Sequence, residues 1–433
     1  MRSIAALALA AMWAAEGLQI VTGWRLMSQA GALAFFAYFT VALLLSRPAQ
    51  RGVIAVVSLL AVAAAARYSV PETLERGIGS AVLFAAFLSA MQMLRVALET
   101  SPLAERMRDR FMALPQPEQH DAMTLRTHLV SSVLGAGGLA TVVPLVDAGR
   151  SPDIRRGLAE SALRGVGLAV LWSPFFVAMA VSTRLARDTS LVAAVGSGLA
   201  MALAGLALSH ALYGGRLRAS WLLPLRRTIV ESAALAAAIV MANRLWGIGN
   251  LEAVALGIPI IAAAIAWREM RSDPARLGRR WLSSLEAISV EALVVGSAMV
   301  LGEVAKELLA RGVVAIPSGI AAWPTPLLIA LPPVLMLGTS LLGLHPIISA
   351  SCLLPLLASV ERLHSLAATG SVLLGWMLCV VLSTFVVPVM YAATLFDVRQ
   401  GELARGRNLR FCAVFAPIAL AYLWALDWAL GAF

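Results

Sequence analysis

Two stretches of this chain place glycine, serine and proline inside apolar segments, where an interrupted helix leaves backbone N–H and C=O groups to be satisfied by something other than lipid. The first is SVLGAGGLATVVP, Ser132 to Pro144, followed by GVGLAVLWSPF, Gly165 to Phe175. The second is SLLG, Ser340 to Gly343, running through His345-Pro346 to Pro355, followed by GWMLCVVLSTF, Gly375 to Phe385. SVLG and SLLG lie 208 residues apart, and the two longer segments, 210 apart, share Gly, Leu, Val, Ser and Phe. Half-helix N-termini present N–H donors and a positive dipole end that suit an anionic group, while opposing carbonyls suit a cation. Doubled interruptions at nearly one offset therefore predict a transporter built from two repeats.

In the first repeat the candidate substrate- and ion-binding residues are Ser132, Gly135, Gly137, Gly138 and Thr141 at the hairpin, with Ser173 and Pro174 at the helix break. Their counterparts are Thr339, Ser340, His345, Pro346 and Ser349, with Ser383, Thr384 and Pro388. Gly, Ser and Thr are also ordinary packing residues of membrane helices, so the set rests on its repetition and not on any one member. His345 is the ionisable residue at a hairpin tip: it can hydrogen-bond an anion or carry a proton, or it can cap the turn before Pro346. Intramembrane acids are costly in lipid, which singles out Glu231, Glu286 and Glu291, with Glu291 the second candidate for proton coupling. Glu286 is expected to pair with Arg280 or an arginine of a neighbouring span, and His128 and His364 are expected at the interface, near the hairpin bases. No cluster has metal-ligand spacing, no Gly-Lys-Ser/Thr phosphate loop occurs and no nucleophile elbow is present. The expectation is a protein that is not an enzyme and uses no cofactor beyond Na⁺ or H⁺ as coupling ion.

The elements that must position these residues are membrane helices. Apolar residues make up 60% of the 433 and charged residues 13%, a balance that a soluble surface does not tolerate. The apolar runs suffice for about eleven crossings at roughly 20 residues each. Strand alternation is absent, so the fold class is an all-α polytopic membrane protein. The net charge of +10 sits largely in short loops, where it reports topology and calls for no nucleic acid. Cys352, Cys379 and Cys412 lie in apolar runs without paired spacing.

Charge counting along the loops sets the layout. Arg47 and Arg51 place the second loop, and hence the N-terminus, in the cytoplasm of a bacterial-type inner membrane. Residues 99–127 read as an interfacial connector. Basic flanks on both sides, the second with Arg150, Arg155, Arg156 and Arg164 in a loop, make residues of about 126–147 a re-entrant hairpin entered from the cytoplasm. The loop ERLHSL is nearly neutral and the one with Arg399, Arg405, Arg407 and Arg410 is basic, so the hairpin of about 326–360 enters from outside. Residues 1–26 are then an extra N-terminal span, 27–227 a first repeat with a broken helix at about 165–183, and 228–433 a second with its broken helix at about 366–395. The repeats have inverted topology.

This layout resembles the ion transporter superfamily and, within it, the divalent anion/sodium symporter family, whose members have an additional N-terminal span, two inverted repeats, opposed hairpins and a broken helix after each. Members of that family carry Ser-Asn-Thr at the hairpin tips, where this chain reads Ala136-Gly137-Gly138 and Leu344-His345-Pro346. The resemblance leaves the branch open. It implies an elevator mechanism, in which hairpins and broken helices carry the substrate past a scaffold, and dimerisation through that scaffold. The function expected is secondary active transport of a small, carboxylate-like organic anion, with membrane lipids as surroundings. A proton-coupled exporter or antiporter, or a protein handling a lipid-linked phosphate gripped by basic loops such as 216–227, are the rival readings.

Overall fold

The computed structural model describes residues 1–99, 111, 113–142, 149, 151–186, 189–215, 226–269, 274–313 and 318–431. In chain order the helices are α1 Arg2–Thr22, α2 Arg25–Leu45, α3 Pro48–Arg67, α4 Pro71–Glu99, α5 Gln116–Leu134, α6 Gly138–Val142, α7 Pro152–Val170, α8 Val177–Leu185 and α9 Leu191–Tyr213. They continue as α10 Arg226–Trp246, α11 Asn250–Glu269, α12 Pro274–Ala310, α13 Thr325–Leu341, α14 Pro346–Ala358, α15 Ser365–Leu382, α16 Val387–Phe396, α17 Gln400–Arg405 and α18 Arg407–Gly431. Proline opens α3, α4, α7, α12 and α14, at the position where its missing N–H is no loss and its fixed φ favours the turn. There is no strand among the described residues.

Among the described residues eight helices are long and apolar enough to cross a membrane. The remaining three of the expected crossings are also helical, with shorter apolar stretches. The one at 165–183 is divided between α7 and α8, and those at 228–246 and 251–267 narrow to apolar helices at Ala234–Trp246 and Asn250–Ile265. Outward-facing leucines and valines such as Val21, Leu33 and Leu59 are 68–73% exposed, as lipid-facing side chains are.

The chain forms two compact units, Met1–Ser101 with Met241–Ile316, and Pro102–Val240 with Pro317–Phe433. In the first unit α4 and α12 lie side by side, with Gly77 against the Val300 backbone, where a Cβ would come within 2.9 Å of the Val300 Cα. Ala61, Ala65, Val70, Val304 and Leu308 form an apolar cluster that joins α3 to this pair. Tyr38 donates its hydroxyl to the Ser289 carbonyl, and Trp281 donates to Ser89 O at 2.8 Å. Glu286 accepts from the Ser3 hydroxyl at 3.0 Å, so its partner is the first helix and not Arg280.

The second unit is built around α7 and α15. Gly157 to Val170 and Leu366 to Leu382 are buried without interruption, an all-round burial that only helices at the centre of a bundle reach. They touch at Gly167, which leaves room for Val381 and Met377. Around them pack two helix–turn–helix pairs, α5 with α6 and α13 with α14. The first pair starts at Gln116, ten residues before the hairpin boundary expected from hydropathy, because QPEQHDAMTLRTH is a polar run that the unit itself buries. Residues 143–148, 150 and 216–225, the side chain of Thr141 and that of Glu231 lie outside the described residues.

Candidate functional site

Gly135 ends α5 with φ of 58° and Gly343 follows α13 with φ of 93°, so each turn carries a glycine in the left-handed region at the last position of SVLG and SLLG. A Cβ at either position would find space, and it is the backbone that calls for glycine. Beyond each turn the chain re-enters helix, at Gly138 in one pair and Pro346 in the other. Gly138 lets the limbs close, since a Cβ there would fall on the Ser131 hydroxyl and 2.8 Å from its backbone nitrogen. Ser131 itself is buried, and its hydroxyl has no hydrogen-bond partner among the described residues. Hydropathy gave no reason to separate it from Ser132.

The helix breaks face these turns. α7 stops at Val170 and α8 begins at Val177, while α15 stops at Leu382 and α16 begins at Val387. Pro174 lies inside the first break and removes a donor there. Pro388 is the second residue of α16, where its ring suits a helix start. Ser173 donates its hydroxyl to the Ser132 carbonyl, and Ser383 donates to the Ser340 carbonyl at 2.9 Å. The same hydroxyls accept from Phe175 N–H at 3.2 Å and Phe385 N–H at 3.4 Å. Each serine thus ties its break to the tip of its own hairpin. The ties recur at the spacing of the sequence repeat.

Close backbone approaches recur with them. A Cβ at Gly165 would strike the Thr124 carbonyl, and one at Gly375 would come 3.2 Å from the Pro332 carbonyl. The two halves also cross over: α16 packs on α6, and α14 packs on α8. Half-helices beginning at Gly138, Val177, Pro346 and Val387 are therefore gathered in one unit, and their first N–H groups need partners outside their own helices.

Among the remaining candidates, Thr339 and Ser349 share a hydrogen bond of 2.8 Å across the second pair. The Ser132 hydroxyl donates to Leu129 O at 2.7 Å, so Ser132 offers its carbonyl to Ser173 and keeps its side chain within its own helix. His345 caps α14, its Nδ1 accepting Ile347 N–H at 3.3 Å, with Trp376 edge-on at 6.2 Å between ring centres. Glu291 belongs to the first compact unit and is not brought together with these residues within one unit.

Three side chains that hydropathy places at the interface or in a loop are otherwise engaged. His128 is 3% exposed and accepts from Trp172 Nε1 at 3.2 Å, beside the first break. His364 caps α15 through Nδ1, and its own N–H donates to Asp427 at 2.8 Å. Arg164, expected in a basic loop, lies within α7 and is fully buried. It donates to Ser209 Oγ and Asn408 Oδ1, each at 3.0 Å, and to Ser161 Oγ at 2.9 Å, and its guanidinium stacks on Tyr213 at 4.6 Å.

No family model matches the sequence, and no curated protein matches it. Among solved structures the chain is similar to the YdaH transporter of Alcanivorax borkumensis, at 13% identity over 84% of this chain and 88% of that one, with a TM-score of 0.46.

Proposed function

We propose that this protein is a secondary active transporter that moves a small, carboxylate-like organic anion across the bacterial inner membrane, coupled to Na⁺ or H⁺, and is not an enzyme. The observation that carries the reading is the doubled tie between helix break and hairpin tip, Ser173 to Ser132 and Ser383 to Ser340, in one compact unit. A polytopic bundle gains nothing in stability from two interrupted helices that are then laced to two interrupted hairpins. Interruption does supply half-helix ends in a setting with little water, where N–H groups hold an anion and carbonyls hold a cation.

In this reading the substrate binds between the two turns, at Gly135, Gly137, Gly138, Thr141 and the Ser131 hydroxyl on one side and Thr339, His345, Pro346 and Ser349 on the other. The breaks at Ser173, Pro174, Ser383, Thr384 and Pro388 close the site. The two halves act as inverted repeats, the unit Pro102–Val240 with Pro317–Phe433 moves as an elevator, and the other unit is the scaffold of a homodimer with a cytoplasmic N-terminus. His345 fixes the second turn through its Nδ1, which caps α14, and proton coupling, where it occurs, falls to His345 or Glu291.

The test is a thermal-shift screen of the purified protein against carboxylates, sulfonates and phosphorylated metabolites, with and without Na⁺. A ligand that binds only the folded state raises the apparent melting temperature by mass action. The expected result is stabilisation by one class of small anion, enhanced by Na⁺ or by lower pH. No stabilisation by any class under any of these conditions contradicts the reading.

A further inference from the structure

Away from the hairpin tips, the second unit has an open cleft of about 580 Å³ whose polar lining is Gln116, His120, Tyr213, Arg407 and Arg410. Two guanidinium groups face it, and no acidic side chain lines it among the described residues. Arg407 and Arg410 lie three apart on α18 and so project from one side of that helix. Arg410 is exposed and makes no hydrogen bond or ion pair among the described residues. Arg407 is held in place by neutral groups: its Nη1 donates to His120 Nε2 at 2.9 Å, and its guanidinium lies 5.8 Å from the Tyr213 ring centre. Because a guanidinium can only donate, Nε2 is the acceptor and the His120 proton sits on Nδ1, which donates to Ser161 Oγ at 3.0 Å. The Glu160 carboxylate, beneath the Arg407 backbone, accepts from Arg407 N–H at 3.1 Å and pairs with Arg156.

The fold does not require this polarity. At the spacing of the repeat, the positions of His120, Glu160 and Arg164 fall on Leu328, Gly370 and Leu374, all uncharged, although Ser161 is matched by Ser371. His120, Glu160 and Arg164, which lie behind the cleft, therefore have no charged counterparts at the spacing of the repeat.

We propose that this cleft binds a phosphate-type anion, held by the guanidinium groups of Arg407 and Arg410. Arginine forks match tetrahedral oxyanions in two-point contacts, and a cleft of this size admits a phosphate with a small attached group. The phosphate belongs either to a soluble anion or to the head group of an anionic lipid. The site is separate from the hairpin tips, and its test reads binding alone, so its outcome is independent of whether the protein transports anything.

The full-length protein in a neutral detergent is titrated calorimetrically with inorganic phosphate and, separately, with short-chain phosphatidylglycerol, short-chain phosphatidylcholine serving as the blank. Arg410→Gln removes no hydrogen bond or ion pair among the described residues, and Arg405→Gln, on the exposed neighbouring turn, is the control for general loss of charge. Saturable binding of phosphate, of phosphatidylglycerol or of both is expected, at least tenfold weaker in Arg410→Gln and unchanged in Arg405→Gln. Binding of phosphate assigns the cleft to a soluble anion, and binding of phosphatidylglycerol alone assigns it to lipid. Absence of saturable binding for both probes, or equal binding by wild type and Arg410→Gln, overturns the proposal.

Discussion

Gly198→Ala is expected to disrupt the second compact unit, whereas Gly196→Ala, two residues away on the same helix, is expected to be harmless. Helix α9 lies directly on the first helix break at Gly198. A Cβ there would fall on the Leu171 carbonyl oxygen and come 2.7 Å from its carbon and 3.0 Å from the Trp172 Cα. These are backbone atoms, with no flexible end to yield, and moving them moves Ser173 and its tie to the hairpin tip. Overpacking of this kind costs about 3 kcal/mol or more. Gly196 has nothing within 4 Å of its Cβ position, and alanine in a helix interior gains up to about 1 kcal/mol over glycine. Size-exclusion profiles and apparent melting temperatures of the two variants, purified side by side, check the pair. Equal behaviour contradicts the packing described.

The second large effect is expected at Arg164. Arg164→Leu copies the residue found 210 positions further along, Leu374, yet it should lower stability by about 3–5 kcal/mol, the range for removing one partner of a buried charged group. Asn408 Oδ1 and Ser209 Oγ lose their donor, and the buried Glu160 carboxylate loses the nearest buried cation. Adding Glu160→Gln to Arg164→Leu should recover part of the loss, because the buried carboxylate, left with the partly exposed Arg156 as its ion-pair partner, goes with it. A single variant as stable as wild type, or a double variant less stable than the single, would show that the guanidinium carries no such burden.

The contrast between these two residues explains what was legible in the sequence. The interruptions were, because glycine and proline inside apolar runs have few uses in a membrane: SVLG and SLLG end on the two glycines of positive φ, and Ser173 and Ser383 are the hydroxyls that reach the hairpin tips. Eight of the about eleven expected crossings were legible too, as helices long and apolar enough to cross a membrane among the described residues, and the other three have shorter apolar stretches. Arg164, His128 and the first turns of α5 were not. Hydropathy assigns a polar side chain to water or interface, and it cannot register that Ser209, Asn408 and Trp172, which come from elsewhere in the chain, satisfy it inside a bundle. His345 reads as a group for substrate or proton or as a cap of the turn before Pro346, and its Nδ1 accepts Ile347 N–H as that cap. The division into two compact units, each drawing on both halves of the chain, has no local signal at all.

The most direct measurement of the proposed transport site is uptake of the stabilising anion into proteoliposomes by wild type and by Ser173→Ala/Ser383→Ala, under imposed Na⁺ and H⁺ gradients. The double variant removes both ties between break and hairpin tip, hydrogen bonds worth about 1 kcal/mol each, while leaving the apolar packing intact. Gradient-dependent uptake by wild type, reduced about tenfold or more in a double variant that still folds, is the expected result. Uptake at the wild-type rate by the double variant, or no uptake by wild type under either gradient, would contradict a transport site at the paired hairpins and helix breaks.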